Sequence, residues 1–167
     1  MGSEMCIRDR GVWGPWHDRL AHFRLAFTPS SGAELQSEYL VPREHAVAAI
    51  EAMRGLSSVI TPLLLVSEVR TMAADDLWLS PNQGRAGIGL HFTWKPEQDE
   101  VEKVLVLIEA ALAPFQARPH WGKLFRLGAA ELGPLYPRFD DFRDLAERMD
   151  PQHTFRNDFL DRTVFGN

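Results

Sequence analysis

Residues 86–94 read AGIGLHFTW, an alternation that only a β-strand can use. Ile88, Leu90, Phe92 and Trp94 fall on one face, and Gly87, Gly89, His91 and Thr93 on the other. A chain with this segment needs a sheet covered on its apolar side. The second face is stripped of bulk by two glycines, which mark a place where a ligand or another backbone comes close, so it reads as a pocket floor. Residues 62–70, PLLLVSEVR, carry a matching pattern: Leu64, Val66, Glu68 and Arg70 on one face, Leu63, Leu65, Ser67 and Val69 on the other. Glu68 and Arg70 are therefore neighbours on one surface. An ion pair on the wet side of a sheet, contributing about 0 to 1 kcal/mol, is the plain reading of that pair. Apolar residues on both faces predict instead a strand buried on two sides, where charges need a partner or a ligand. Thr93 by itself says only that threonine forms strands well.

The remaining elements give an α+β chain. Residues 20–27 and 34–41 read as strands joined through the turn composition of residues 28–32. Residues 42–53 read as a helix with Val47, Ile50 and Met53 as its stripe. Residues 98–115 form the strongest helical pattern, with Val101, Leu105, Ile108, Leu112 and Phe115 on one face and acidic residues in the first turn to suit the dipole. Residues 139–149 place Phe139, Phe142, Leu145, Ala146 and Met149 at helical spacing before Pro151, and read as plain core. After an opening strand, the order β-α-β-β-α suggests a ferredoxin-like antiparallel sheet. Its helices pack on one face, the other carries Glu68, Arg70 and Thr93, and a helical extension follows.

With 167 residues, 45% hydrophobic and 25% charged, the chain has the length and composition of one globular domain. A net charge of -5 without a basic block argues against nucleic acid and anionic membrane as partners. No run approaches the roughly 18 apolar residues of a transmembrane segment. The single cysteine excludes an internal disulfide and suits a cytoplasmic location. The dispersed histidines show no metal-ligand spacing, so no metal is expected.

His120-Trp121-Gly122-Lys123 puts a titratable ring, a large aromatic and a fixed positive charge within four positions, a combination suited to the ring of an electron-rich cofactor. Taken alone, Trp121 and Lys123 read more often as a core edge beside a solvated charge. Together with ELQSEYLVPRE, LLLVSEVRTMAADDLWLSP, HFTWKP and DPQHTFRNDFL, however, the RPHWGKLF string resembles the C-terminal half of bacterial alditol oxidases. These are flavoenzymes of the vanillyl-alcohol-oxidase superfamily, similar to xylitol oxidases and to D-arabinono-1,4-lactone oxidase and other aldonolactone oxidases. The resemblance runs in chain order from about Trp16 onward, and SEVRT, HFTW and HWGK are its specific parts.

What the resemblance implies is an FAD-dependent oxidase. A hydride leaves the C1 carbon of an alditol for the flavin, and oxygen reoxidises the flavin, giving an aldose and hydrogen peroxide. It assigns Glu68, Arg70, Thr93 and Lys123 to polyol binding, with Arg70 and Lys123 at the reacting hydroxyl, and His120 to the flavin. The residue types fit, because a row of hydroxyls can donate to a carboxylate and accept from guanidinium, ammonium and hydroxyl groups. No strong general base is evident.

In the resembling family a separate domain holds the adenine and pyrophosphate, attaches the ring covalently through a histidine and supplies a serine to the site. Residues 11–167 carry no counterpart, so they are expected to be a C-terminal substrate-binding domain, inactive without that FAD-binding domain in cis. Residues 1–10, MGSEMCIRDR, match no pattern elsewhere, contain the only cysteine and read as a non-native scar. An aldonolactone oxidase is the nearest enzyme alternative. A stand-alone ferredoxin-like binding module is the alternative of another class, since fold does not decide function.

Overall fold

The computed structural model describes residues 33–166. The strand expected at 20–27, the turn at 28–32 and the ten-residue N-terminal segment lie outside the described residues. Among the described residues the fold is α+β, a four-stranded antiparallel sheet with six α-helical segments. Strand β1 (Leu35–Pro42) leads through a 3-10 turn, Arg43–His45, into α1 (Ala46–Gly55) and α2 (Ser57–Ile60). Strands β2 (Leu64–Met72) and β3 (Gly87–Trp94) follow, then α3 (Gln98–Leu112) and the two-residue β4 (Arg118–Pro119). The C-terminal part holds α4 (Ala129–Leu132), α5 (Phe139–Met149), α6 (Asp158–Leu160) and a closing π turn, Asp161–Phe165.

The sheet order is β2-β3-β1-β4, so β3 and β1 are central and β2 is an edge. Register follows the alternation read from sequence. Tyr39 pairs with Leu90, and Val41 with Ile88, on the covered face. Glu38 pairs with His91, and His91 in turn with Glu68, on the other. The covered face supplies Tyr39, Val41, Ile88, Leu90, Phe92 and Trp94 to a core shared with α1 and α3. Trp94 is fully buried, stacks on Phe92 at 5.2 Å and donates from Nε1 to Ser37 Oγ at 2.9 Å. Its polar handle is thus satisfied inside the core.

The stripe of α3 is buried as its spacing predicts: Val101, Leu105, Ile108 and Leu112 are all sealed from solvent. The helix stops at Leu112 because Pro114 lacks an N–H and forces a short 3-10 turn, Ala113–Phe115, and Gln116 then adopts a left-handed conformation with φ of 53°.

Five expectations are corrected. Pro42 is the last residue of β1 and not the first of a helix, since its ψ of 143° is extended and the next amide, Arg43 N–H, donates across to the Ala86 carbonyl. The buried stripe of α1 is Ala49 and Met53 at i, i+4, with Ile50 partly covered, whereas Val47 is 75% exposed. In β2 a bulge between Leu64 and Val66 puts Leu64 opposite Trp94 while Val66 lies opposite Thr93, so Leu64 leaves the face that Val66 keeps with Glu68 and Arg70. As an edge strand, β2 is not buried on two sides: Leu65, Val66 and Val69 are about half exposed. Helix α5 is core only at Phe139, because Leu145 and Met149 face outward.

Candidate functional site

The uncovered face of the sheet gathers a charged cluster around one carboxylate, Glu38. The side chain lies on central strand β1, is only 5% exposed and accepts from Lys123 Nζ at 2.6 Å. Arg70 Nη1 approaches both of its oxygens at 3.4 Å, and His91 Nδ1 lies 3.4 Å from Oε2. Arg70 also forms a short ion pair through Nη2 with Glu68 Oε2. The Arg70 guanidinium is therefore held between a buried and a half-buried carboxylate. From Lys123 the network continues to His91 Nδ1 at 2.8 Å, and from His91 Nε2 to Thr93 Oγ1 at 3.2 Å.

These contacts fix the direction of the protons. An ammonium has only donors, so His91 Nδ1, the nitrogen 2.8 Å from Lys123 Nζ, accepts. That contact is shorter than the 3.4 Å approach of Nδ1 to Glu38 and decides the tautomer. The proton is then on Nε2, which donates to Thr93 Oγ1, leaving the threonine hydroxyl hydrogen to point elsewhere. Lys123 uses one hydrogen on Glu38 and one on His91, and its third has no partner among the described residues. Burial would raise the Glu38 pKa, but the hydrogen bond from Lys123 and the charges of Lys123 and Arg70 outweigh it, holding the carboxyl at about 2.

Lys123 reaches this face because of how its loop is pinned. Strand β4 pairs with β1 at Tyr39–Pro119 and Leu40–Arg118. His120 N–H then donates to the Glu38 carbonyl at 2.9 Å, and Leu124 N–H returns to the Gln36 carbonyl at 2.9 Å. Between those two anchors the chain turns through a Lys123 N–H bond to the His120 carbonyl. Trp121 is the loop's structural anchor: its Nε1 donates to the Leu79 carbonyl at 2.8 Å and its ring packs on Phe125 and Tyr136. His120 stands beside the cluster. Its Nδ1 accepts from Gly122 N–H at 3.1 Å, so its own proton is on the outward nitrogen. Although the residue is exposed overall, partial desolvation of the ring, followed by the Lys123 charge, lowers its pKa against a weaker opposing pull from Glu38.

All five residues singled out from sequence, Glu68, Arg70, Thr93, His120 and Lys123, thus lie on or beside one sheet face. The pocket-floor reading of the glycines needs correction. A Cβ on Gly89 would sit 2.7 Å from Glu38 Oε1 and 2.7 Å from Met72 Cε, and one on Gly87 would sit 2.7 Å from the Val41 carbonyl. The space the glycines leave is filled by the chain's own atoms. Glu38 and His91 were missed as site residues. The available signal was that Glu38 shares parity with Gln36 on the polar side of β1, and His91 with Thr93 on β3. An open groove lined by Trp78, Asp141, Asp144, Glu147 and Arg148 lies elsewhere and includes none of the cluster.

An alditol oxidase of Streptomyces sp. (strain IKD472 / FERM P-14339) is 51% identical over 160 residues, 96% of this chain and 39% of that protein. An L-gulono-1,4-lactone dehydrogenase of Mycobacterium tuberculosis is 33% identical over 132 residues, 77% of this chain and 30% of that protein. An L-gulonolactone oxidase of Mus musculus is 25% identical over 133 residues, again 77% of this chain and 30% of the relative. The chain spans well under half the length of each of these relatives. Residues 32–163 match the D-arabinono-1,4-lactone oxidase family, most of the chain, and the protein belongs to that family.

Proposed function

We propose that this chain is the substrate-binding part of an FAD-dependent oxidase that acts on the C1 hydroxyl of an alditol, giving an aldose and hydrogen peroxide. One observation carries the reading: Glu68, Arg70, Thr93 and Lys123 present an acceptor and several donors side by side on one open face. A chain of vicinal hydroxyls, each both donor and acceptor, matches such a row. The 51% identity to an alditol oxidase favours an alditol over a lactone. The family match favours the lactone as the second reading.

The described residues fit one edge of a flavin ring and not the whole cofactor. His120 offers an outward N–H and Lys123 its third hydrogen, both suited to ring oxygens and nitrogens. Among the described residues no glycine-rich turn leads from a strand into a helix, so these residues offer no pyrophosphate cradle of that kind. When bound, FAD supplies the ring that accepts a hydride, and the protein's share is positioning and electrostatics. Arg70 and Lys123 hold the reacting hydroxyl and stabilise negative charge that develops on its oxygen. Glu68 accepts from a neighbouring hydroxyl, and Thr93 donates to one farther from C1. Glu38, held at about 2, is a poor proton acceptor at neutral pH and is not the base.

The same proposal reads the sheet as ferredoxin-like, supported by the strand order with β1 and β3 central and a helix crossing after each. The helices cover one face, leaving the other to meet the flavin domain. The test is anaerobic flavin reduction in the oxidase that carries this sequence, with xylitol, sorbitol, glycerol and sugar lactones in parallel. Reduction by alditols followed by peroxide release on admitting oxygen is the expected result. Reduction by lactones alone would replace the substrate, and reduction by neither would favour a binding module. The 167-residue chain alone is expected to be colourless and inactive.

A further inference from the structure

We propose that Glu38 is the positioning residue of this site: its carboxylate, seated in the space that Gly89 leaves open, sets where the Lys123 ammonium and the Arg70 guanidinium stand.

Lysine and arginine side chains at a sheet surface ordinarily sample many rotamers, and each loses that freedom when fixed. Here both heads are tied to one acceptor on the most rigid element available, a central strand paired on both sides. Lys123 Nζ lies 2.6 Å from Glu38 Oε2, and Arg70 Nη1 lies 3.4 Å from both oxygens. The two cations come from different places, an edge strand and the loop after β4, so nothing in their local sequence brings them together. Glu38 is the side chain that both touch. It also orients Lys123 toward His91, and so determines which hydrogen of the ammonium is left for a ligand.

Space for the carboxylate is provided by a neighbouring strand. Position 89 lies next to Glu38 across the β1–β3 ladder, and a methyl group there would sit 2.7 Å from Glu38 Oε1. A side chain at position 89 is therefore incompatible with Glu38 where it now stands. Among the described residues, Glu38 is the acidic residue buried within this cluster, whereas Glu68 is 34% exposed at the sheet edge. The substrate-facing role of Lys123 and Arg70 rests on the function proposed above, but their dependence on Glu38 does not.

Two measurements separate these claims. In the chain itself, the Lys123 ammonium should give a slowly exchanging 15N–1H signal, because its protons are held by Glu38 and His91. Lys123→Met should remove the signal and so assign it, Glu38→Gln should abolish it and Glu68→Gln should leave it. A Lys123 signal unchanged by Glu38→Gln overturns the proposal, whatever the enzyme does. In the flavin-loaded oxidase, Glu38→Gln should lower the rate of flavin reduction at saturating substrate on the order of 10- to 100-fold, the size of effect that misplacing a reacting group by about 1 Å produces. Glu38→Asp should restore part of that rate. Gly89→Ala keeps the charge of Glu38 but displaces it, and should reduce the rate in the same direction by a smaller factor. It provides the test if Glu38→Gln fails to fold. If Glu38→Gln and Gly89→Ala both reduce flavin at the unmodified rate, the proposal is overturned. An oxidase that accepts no alditol would remove the function proposed above and leave the ammonium measurement decisive here.

Discussion

Replacing Glu38 with glutamine should remove a specific pH dependence from the stability of this chain. The carboxyl is held at about 2 in the fold, against an ordinary value of 4.5. Its side chain is only 5% exposed, so solvent screens the interaction little. At about 1.4 kcal/mol per pH unit, that gap corresponds to about 3 kcal/mol of native-state stabilisation. The folded value is depressed, so between 2 and 4.5 the unfolded chain binds more protons than the folded one. The contribution is therefore complete above the unfolded value and is lost as pH falls toward 2. About 2 kcal/mol of it should be gone by pH 3. Glu109 titrates in the opposite sense, because burial raises its pKa against hydrogen bonds from Arg126 N–H and the Tyr39 hydroxyl. That effect is common to both proteins and cancels in their difference. Urea unfolding at intervals from pH 7 to pH 3 measures the difference directly. The unmodified protein should be the more stable at pH 7, and its advantage should shrink steadily below about pH 5. An advantage of equal size at pH 3 and pH 7 would refute the reasoning, since the carboxyl would then have the same pKa folded and unfolded.

Tyr39 donates to Glu109 Oε1 at 2.8 Å, and Arg126 N–H donates to the same oxygen at 2.7 Å, so Tyr39→Phe should cost about 1 to 3 kcal/mol of stability by leaving a buried carboxylate short of a donor. Chemical denaturation at neutral pH checks this, and the loss should be smaller in acid, where Glu109 is protonated. Leu105→Ala empties a site with no solvent exposure beneath the sheet and should cost about 2 to 5 kcal/mol by the same assay. In the flavin-loaded oxidase, Arg70→Met or Lys123→Met should raise the barrier to flavin reduction by about 2 to 4 kcal/mol in anaerobic stopped-flow. Thr93→Val should instead raise the half-saturating concentration and leave the limiting rate nearly unchanged.

How far the sequence reveals this molecule differs by element. Alternation in residues 86–94 and the 98–115 stripe are strong because both elements are buried along their length, and burial is what writes periodicity into a chain. The two-sided burial inferred for residues 62–70 failed because β2 is an edge strand. Its apolar run resembles that of a central strand, and neither neighbours nor bulges are visible in composition. The stripe of 139–149 failed for a related reason: helical spacing shows that a face is apolar but not what covers it. Among site residues, Glu68 and Arg70 were legible as neighbours two apart on one strand. Glu38 was not, because its partners are 32 and 85 residues away and only the β3–β1–β4 arrangement brings them together.

That long-range dependence also explains why an unremarkable aromatic matters to the charged face. Lys123 stands over Glu38 only because residues 120–124 leave β1 at Glu38 and rejoin it at Gln36. Two backbone bonds alone would let such a turn pivot about the strand. Trp121 prevents this by sending its ring the other way, onto Phe125 and Tyr136, with its N–H on the Leu79 carbonyl. The loop is therefore fastened on both sides, by packing at Trp121 and by the ion pair at Lys123. Neighbouring residues in HWGK divide the work. The tryptophan packs against the core, as the core-edge reading of Trp121 expected, and that packing is what allows the lysine two positions on to be held at the open face.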